Sequence, residues 1–404
     1  MFVVVQQRNR RIGLAVLAAG LATFAVLYAP QPVLPLLAAE FRLGPGEVSA
    51  VLSVATLSLA LAVLPMAALS ELLGRRPMML ASVAAAVLIG LALPLAPDFG
   101  TLIALRAVQG VAIAGLPGVA MAYMAEEIGL AGLGAVMGLY VAGNTTGGMS
   151  GRLLAGVLGD VVDWRAGLFA VAVLAALCAV AMALLMPASR AQAQRSSLLT
   201  GLRGATRDSG LYGPYAVAFL GMAATVAVYN VIAFRLIADP FRLTPGLVAM
   251  VFLGYLFGGV ASAIAGRMAD RLGKPPVLLA ALGTAVVGML MTLPDNLFLV
   301  LPGIALLSAG FFAAHAVASS WIGARAAPGA RAQASGVYLL AYYLGSSMGA
   351  SVAGWVYGAG GWTPVAVVGC GWLVLAGLAV LTVRAAGRSA PRSAPAPASP
   401  ARAG

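Results

Sequence analysis

AALSELLGRRP at residues 67–77 returns as GRMADRLGKPP at 266–276. Each is a short polar stretch between two long apolar ones. Each holds one acid (Glu71, Asp270), one glycine (Gly74, Gly273) and nearby cations (Arg75 and Arg76; Arg267, Arg271 and Lys274). The recurrence extends outward in both directions. FRLGPG at 41–46 recurs as FRLTPG at 241–246, an offset of 200, and Glu71 and Gly74 recur at an offset of 199. Gly138, Tyr140, Gly147, Gly151, Gly156 and Trp164 return as Gly336, Tyr338, Gly345, Gly349, Gly354 and Trp362, an offset of 198. One alignment drifting by two residues joins all of these, so the chain is two copies of one design.

The solvent of that design is lipid. The 404 residues are 62% hydrophobic and 9% charged, whereas a soluble chain carries roughly a quarter charged residues. A helix needs about 20 apolar residues to cross the hydrocarbon. Apolar runs predict spans at 11–38, 47–69, 78–96, 101–124, 132–158 and 166–187. A second set falls at 212–238, 247–265, 276–294, 298–322, 333–357 and 364–383. The predicted fold class is therefore all-α integral membrane, with twelve helices in two six-helix halves. An even number of spans per half makes the halves parallel, and a pseudo-two-fold axis along the membrane normal puts a solute site between them near the midplane. The expected division is residues 1–187, a linker at 188–212, residues 213–384, and a basic Ala/Pro/Ser-rich tail at 385–404 read as disordered.

The net charge of +12 does not point to nucleic acid. Segments on the side of the two termini hold 18 of the 24 Lys and Arg residues, and the opposite loops hold Arg42, Arg165 and Arg242 alone. That asymmetry places both termini in the cytosol and fits a multi-pass protein of a bacterial inner membrane. The Arg8–Arg11 cluster before the first span resembles a signal peptide, but no cleavage site follows and the apolar run continues to Ala38. Cys178 and Cys370 lie inside spans and read as structural thiols. No phosphate loop, metal spacing or nucleophile–base set is visible, so no cofactor, no ATP drive and no enzyme activity are expected.

The matched loops are similar to the G-x-L-A-D-R-x-G-R-R signature of the major facilitator superfamily. The second copy is close, and the first has Ala67 and Glu71 in place of Gly and Asp. Arg106, Gln109 and Gly110 resemble the L-x-R-x-x-Q-G motif of proton-coupled members. Gly143–Gly148, GNTTGG, resembles the G-P-x-x-G-G motif of drug/proton antiporters, with Asn144 where those have Pro. YAPQPVLPLLAAEF (28–41), MAYMAEEI (121–128), GNTTGGMSGR (143–152), DWR (163–165) and FFAAHAVASSWIG (311–323) resemble the arabinose-efflux-type permeases of bacterial inner membranes. The resemblance covers the chain to about residue 384 and implies a monomeric secondary transporter working by alternating access. It implies that spans 1, 4, 7 and 10 line the cavity, and proton-coupled efflux of a small solute. The alternative is an uptake permease for a small organic anion or a sugar-like solute, since fold does not choose direction.

The residues expected at the cavity are Tyr28, Gln31, Arg106, Gln109, Asn144, Arg152, Asn230, Arg235 and His315. Glu71, Gly74, Arg75, Asp270, Arg271 and Gly273 are expected to gate. Arg106, Arg152 and Arg235 are basic residues inside spans, where an unpaired charge is costly. Each either reaches outer water or faces the cavity, with the cavity favoured for Arg106 and Arg152. His315 is either a hydrogen-bonded packing residue or the proton carrier. All twelve acids lie at span ends or in loops, so the cavity suits a neutral or anionic solute better than a cation.

Overall fold

The computed structural model describes residues 2–128, 130–189, 198–327 and 330–389, and these are almost wholly helical. Ten segments are long and apolar enough to cross a bilayer. They are span 1 (Gln6–Phe41), span 2 (Pro45–Leu73), span 3 (Arg75–Leu95), span 4 (Phe99–Glu127) and span 6 (Trp164–Leu185), then span 7 (Ser209–Ile237), span 8 (Pro245–Leu272), span 9 (Lys274–Met291), span 10 (Leu297–Arg325) and span 12 (Trp362–Val383). Two further helices take the fifth and eleventh places: span 5 (Leu130–Val161, 32 residues) and span 11 (Arg331–Gly360, 30 residues). At about 1.5 Å per residue both are longer than the hydrocarbon is thick. Their Gly, Ser, Thr and Tyr content makes them less apolar than the other ten.

That content has a structural cause. A Cβ on Gly147 would stand 2.4 Å from the Leu21 carbonyl oxygen, and one on Gly151 2.6 Å from that of Ala25, so spans 1 and 5 touch backbone to backbone. The second half repeats the contact 198 residues later. A Cβ on Gly345 would stand 2.0 Å from the Phe219 carbonyl oxygen, and one on Gly349 2.3 Å from that of Ala223. Small residues permit this approach, which is how membrane helices associate without a hydrophobic drive between them. Each half has its own apolar core.

The signature stretches are not loops. Span 2 stays helical to Leu73 and span 8 to Leu272, each broken by one glycine with φ of +93° (Gly74) or +83° (Gly273) before the next helix begins. A side chain strains at such φ, so one glycine makes the whole turn. Part of the linker is ordered. Leu198–Arg207 is helical and lies on the start of span 11, Gly201 against Gln333 and Gly204 against Ala330. The last helix runs from Trp362 to Ser389, so residues 385–389 continue it, and the rest of the predicted tail, with the linker stretch 190–197, lies outside the described residues.

The linker face carries the start of span 1, the end of span 6 and the linker. On the far face the two halves meet. Gly46 rests on Trp355, and Gly156 and Gly354 contact the Pro245 and Pro45 turns of the opposite half. The Gly246 amide donates to Asp160 (3.2 Å).

Candidate functional site

Between the halves lies a cavity of about 460 Å³. It runs from Arg152 and Tyr255 toward Met124, Ile322 and Ser335 at the linker-face ends of spans 4, 10 and 11. Spans 1, 4, 7 and 10 contribute as expected, span 7 through Met222, and spans 5, 8 and 11 contribute as well. The walls are mostly methionine, aromatic and aliphatic side chains, with Asn144, Thr145, Ser262, Ser319 and Ser335 among them, and no lining residue among the described ones is Asp, Glu or Lys.

Tyr28, Asn144, Arg152 and His315 line this cavity. Arg152 is 1% exposed. Its Nε donates to Gln31 Oε1 (2.7 Å), its Nη1 to the Gly148 carbonyl (2.7 Å), and its Nη2 to the Tyr255 hydroxyl across the halves (3.3 Å). The guanidinium lies 4.3 Å from the Tyr28 ring centroid, 4.8 Å from Tyr255 and 5.0 Å from Phe252. Gln31 is thus behind Arg152, orienting it, and is not itself on the wall. Asn144 packs against Gly20 of span 1. His315 Nδ1 is 2.8 Å from the Tyr338 hydroxyl, which also lies 3.2 Å from the His315 carbonyl.

The other expected cavity residues lie elsewhere. Arg106 is wholly buried and does not line the cavity. It donates to the carbonyls of Val51 (2.8 Å), Val26 (3.2 Å) and Leu27 (2.7 Å), and to Gln109 Oε1 (2.5 Å). Gln109 passes the tie to the Ala86 carbonyl (3.0 Å) of span 3. The reason is in span 1. Its first helix ends at Tyr28, and Pro30 and Pro32 follow. Proline has no N–H, so Val26 loses its helical donor, and Arg106 replaces it.

Asn230 is also wholly buried and joins the halves, its Nδ2 donating to Ser49 Oγ (2.8 Å) and the Ala350 carbonyl (3.3 Å). Arg235 holds the turn after span 9. It donates to the carbonyls of Thr292, Leu293 (3.2 Å) and Pro294 (3.1 Å), pairs with Asp295 (3.0 Å), and stacks over Trp362. Of its two predicted placements, the rim is the one it takes, because a loop acid is within reach.

The expected gates are unequal. Arg75 pairs with Glu126 (3.2 Å) and Glu71 (3.7 Å) and donates to Ser70 Oγ. In the second half Asp270 and Arg271 are exposed with no ion pair among the described residues, and Lys274 donates to the Ser320 carbonyl (2.8 Å). Sequence reasoning missed Phe252, Tyr255, Tyr338 and Tyr342. The AYYLG stretch at 341–345, tyrosines beside a tight-contact glycine, carried a usable signal.

Comparison with known proteins agrees with this architecture. The family model described as Major Facilitator Superfamily matches residues 16–234 and 214–403. The uncharacterized MFS-type transporter YybF of Bacillus subtilis is 39% identical over 349 residues, covering 85% of this chain and 86% of that protein. The inner membrane transport protein YnfM of Escherichia coli is 40% identical over 359 residues, covering 88% and 86%. The fold is similar to that of the human organic anion transporter MFSD10 (TM-score 0.70, 18% identity, 93% of this chain and 99% of that one). It is also similar to that of the nucleoside transporter NupG (TM-score 0.73, 13% identity, 92% and 99%). The chain is a multi-pass membrane transporter, not an enzyme, and it belongs to the major facilitator superfamily.

Proposed function

We propose that this transporter exports a small neutral or anionic solute across a bacterial inner membrane, as a monomer, by alternating access coupled to the proton gradient. The observation that carries the reading is the cavity wall: among the described residues it holds one buried arginine, one histidine, and no carboxylate or lysine. A wall without acids offers a cation no carboxylate to pair with, whereas Arg152 offers an anion a desolvated donor. The asymmetry of basic residues supports a cytosolic linker face. The cavity then opens inward while the far face is closed, as a loading state for export requires.

His315 is the proposed proton carrier. It is the one histidine of the chain, and histidine changes charge near neutrality. Tyr338 makes the change feasible. When both ring nitrogens carry protons, its hydroxyl accepts from Nδ1 and turns its own proton to the His315 carbonyl. Glu71, Arg75, Asp270 and Arg271 are proposed to set the rate of exchange between states rather than to touch solute.

Proteoliposomes with imposed pH gradients test this. Solute should move opposite to the imposed proton flow and reverse direction when the gradient is reversed. His315→Gln should abolish gradient-driven accumulation while keeping solute counterflow. Equilibration without accumulation in the unmodified protein, whatever the gradient, would mean a facilitator instead, and movement of solute together with protons would mean uptake.

A further inference from the structure

We infer that the cavity is built for a monocarboxylate with a flat apolar body, the carboxylate on Arg152 and the body among the methionines and aromatic rings. The inference rests on the transport reading only for turnover; the binding site stands or falls by itself.

Arg152 is a buried cation that pairs with no carboxylate among the described residues. A guanidinium has five N–H donors, and three acceptors are supplied: an amide oxygen, a carbonyl and a phenol hydroxyl. None is ionised, and the aromatic rings around it compensate only in part. The amide nitrogen of Gln31, next to it, is buried without a partner among the described residues. A carboxylate suits this site on three grounds. It matches the planar donor fork, it neutralises the charge, and it can take the place of Tyr255, whose 3.3 Å bond is the longest of the three.

The wall sets the rest of the solute. Met121, Met124 and Met137 come from spans 4 and 5, facing Phe311, Phe312 and Tyr342 from spans 10 and 11. Methionine is adaptable and favours contact with aromatic rings, so one face of the cavity conforms while the other stacks. The volume of about 460 Å³ lies in the range of small-molecule sites. With one permanent cation on the wall, a monoanion leaves the site neutral and a dianion does not.

The test uses the full chain purified in a non-ionic detergent and three probes with the same ring system: 2-naphthoate, 2-naphthylmethanol and 2-naphthylmethylammonium. Calorimetric titration at pH 7 should rank naphthoate at least about tenfold tighter than the alcohol, with the ammonium weakest; tenfold is the scale of one added charge-assisted hydrogen bond. Arg152→Gln should remove the preference and leave the alcohol's affinity within a few fold, while Tyr255→Phe should keep the ranking. Equal affinities, or the ammonium tightest, overturn the inference on the unmodified protein alone, even if Arg152→Gln fails to fold. Naphthoate binding without naphthoate counterflow in proteoliposomes supports the site and counts against transport. Counterflow of the ammonium without naphthoate binding does the reverse.

Discussion

Each half ties the start of its first helix to the end of its fourth, and the two ties have opposite polarity. In the first half Arg8 bonds Glu127 at 2.6 Å; in the second Asp208 bonds Arg325 at 2.8 Å. Glu127 and Arg325 are 198 residues apart, the offset of the glycine contacts. The second arrangement suits the helix dipoles, an acid at a helix start and a cation at a helix end, and the first opposes them. A deeper pair of positions differs more. Arg106 corresponds to Ile304 or Ala305, both apolar. The first half needs a donor there because Pro30 and Pro32 interrupt span 1. Span 7 has no proline at that level, runs unbroken from Met222 to Ile237, and frees no carbonyl. The duplicated feature is therefore the close backbone packing, and the polar groups follow whatever each backbone leaves unsatisfied.

Arg106→Ile should have the largest effect, since it makes the first half resemble the second while the proline break remains. A buried acceptor left without a donor costs about 1–3 kcal/mol, and the Val26 and Leu27 carbonyls and the Gln109 amide oxygen lose theirs together. Thermal unfolding in detergent should show a large drop in midpoint. Adding Pro30→Ala to Arg106→Ile should recover part of it by returning a donor to Val26. No recovery would separate Arg106 from the break.

The converse change, Ile304→Arg, puts a guanidinium where no carbonyl is free. An unpaired arginine at helix centre costs about 2.5–3.5 kcal/mol, so the folded yield should fall sharply. A variant that accumulates normally would show that the second half can also host the charge.

Glycine spacing predicts equality instead. Gly147→Ala and Gly345→Ala each drive a methyl group onto a backbone oxygen, at 2.4 and 2.0 Å. Overpacking of this kind costs about 1–3 kcal/mol, and the two variants should lose similar stability. Gly138→Ala, with nothing within 4 Å, is the control and should be neutral or stabilising by up to about 1 kcal/mol. A large difference between Gly147 and Gly345 would break the pseudo-symmetry where it is tightest.

These cases show what could be read in advance. Twelve spans, two halves and the repeat offset follow from composition and spacing, because lipid demands long apolar helices and close packing demands glycine at fixed intervals. The direction of a buried arginine is different. Arg106 and Arg152 are both basic residues inside spans near glycines, and local sequence treats them alike. One faces a proline break on another helix and the other faces Tyr255 of the opposite half; both partners are remote in sequence. The clue for Arg106 was not in its own motif but in Pro30 and Pro32. Gln31 and Asn230 were legible as polar residues in apolar runs, yet whether such a residue meets a cavity, a neighbour or the other half depends on helix rotation, which periodicity alone does not set. The same holds for the tyrosines at 338 and 342, whose role depends on His315 from span 10.

The smallest expected effect concerns the Asp208–Arg325 tie at the linker face. Burial alone would raise the Asp208 carboxyl, but the Arg325 hydrogen bonds and the Gly210 amide outweigh it and hold the group below its usual range. A depressed carboxyl contributes stability above its unfolded value, near 3.9, and loses that contribution as pH falls through its folded value. Both side chains are partly exposed, 30% for Asp208 and 45% for Arg325, so solvent screening limits the tie to roughly 0.2–1 kcal/mol. Asp208→Asn should therefore lower the unfolding midpoint slightly at pH 7. The gap to the unmodified protein should stay flat down to about pH 5 and close as pH falls below about 4. The Arg325→Asp and Asp208→Arg double variant restores the pair but sets it against both helix dipoles, so it should recover less than the full loss. Full recovery would mean that polarity at this tie is indifferent, and the opposite signs in the two halves would then need no electrostatic cause.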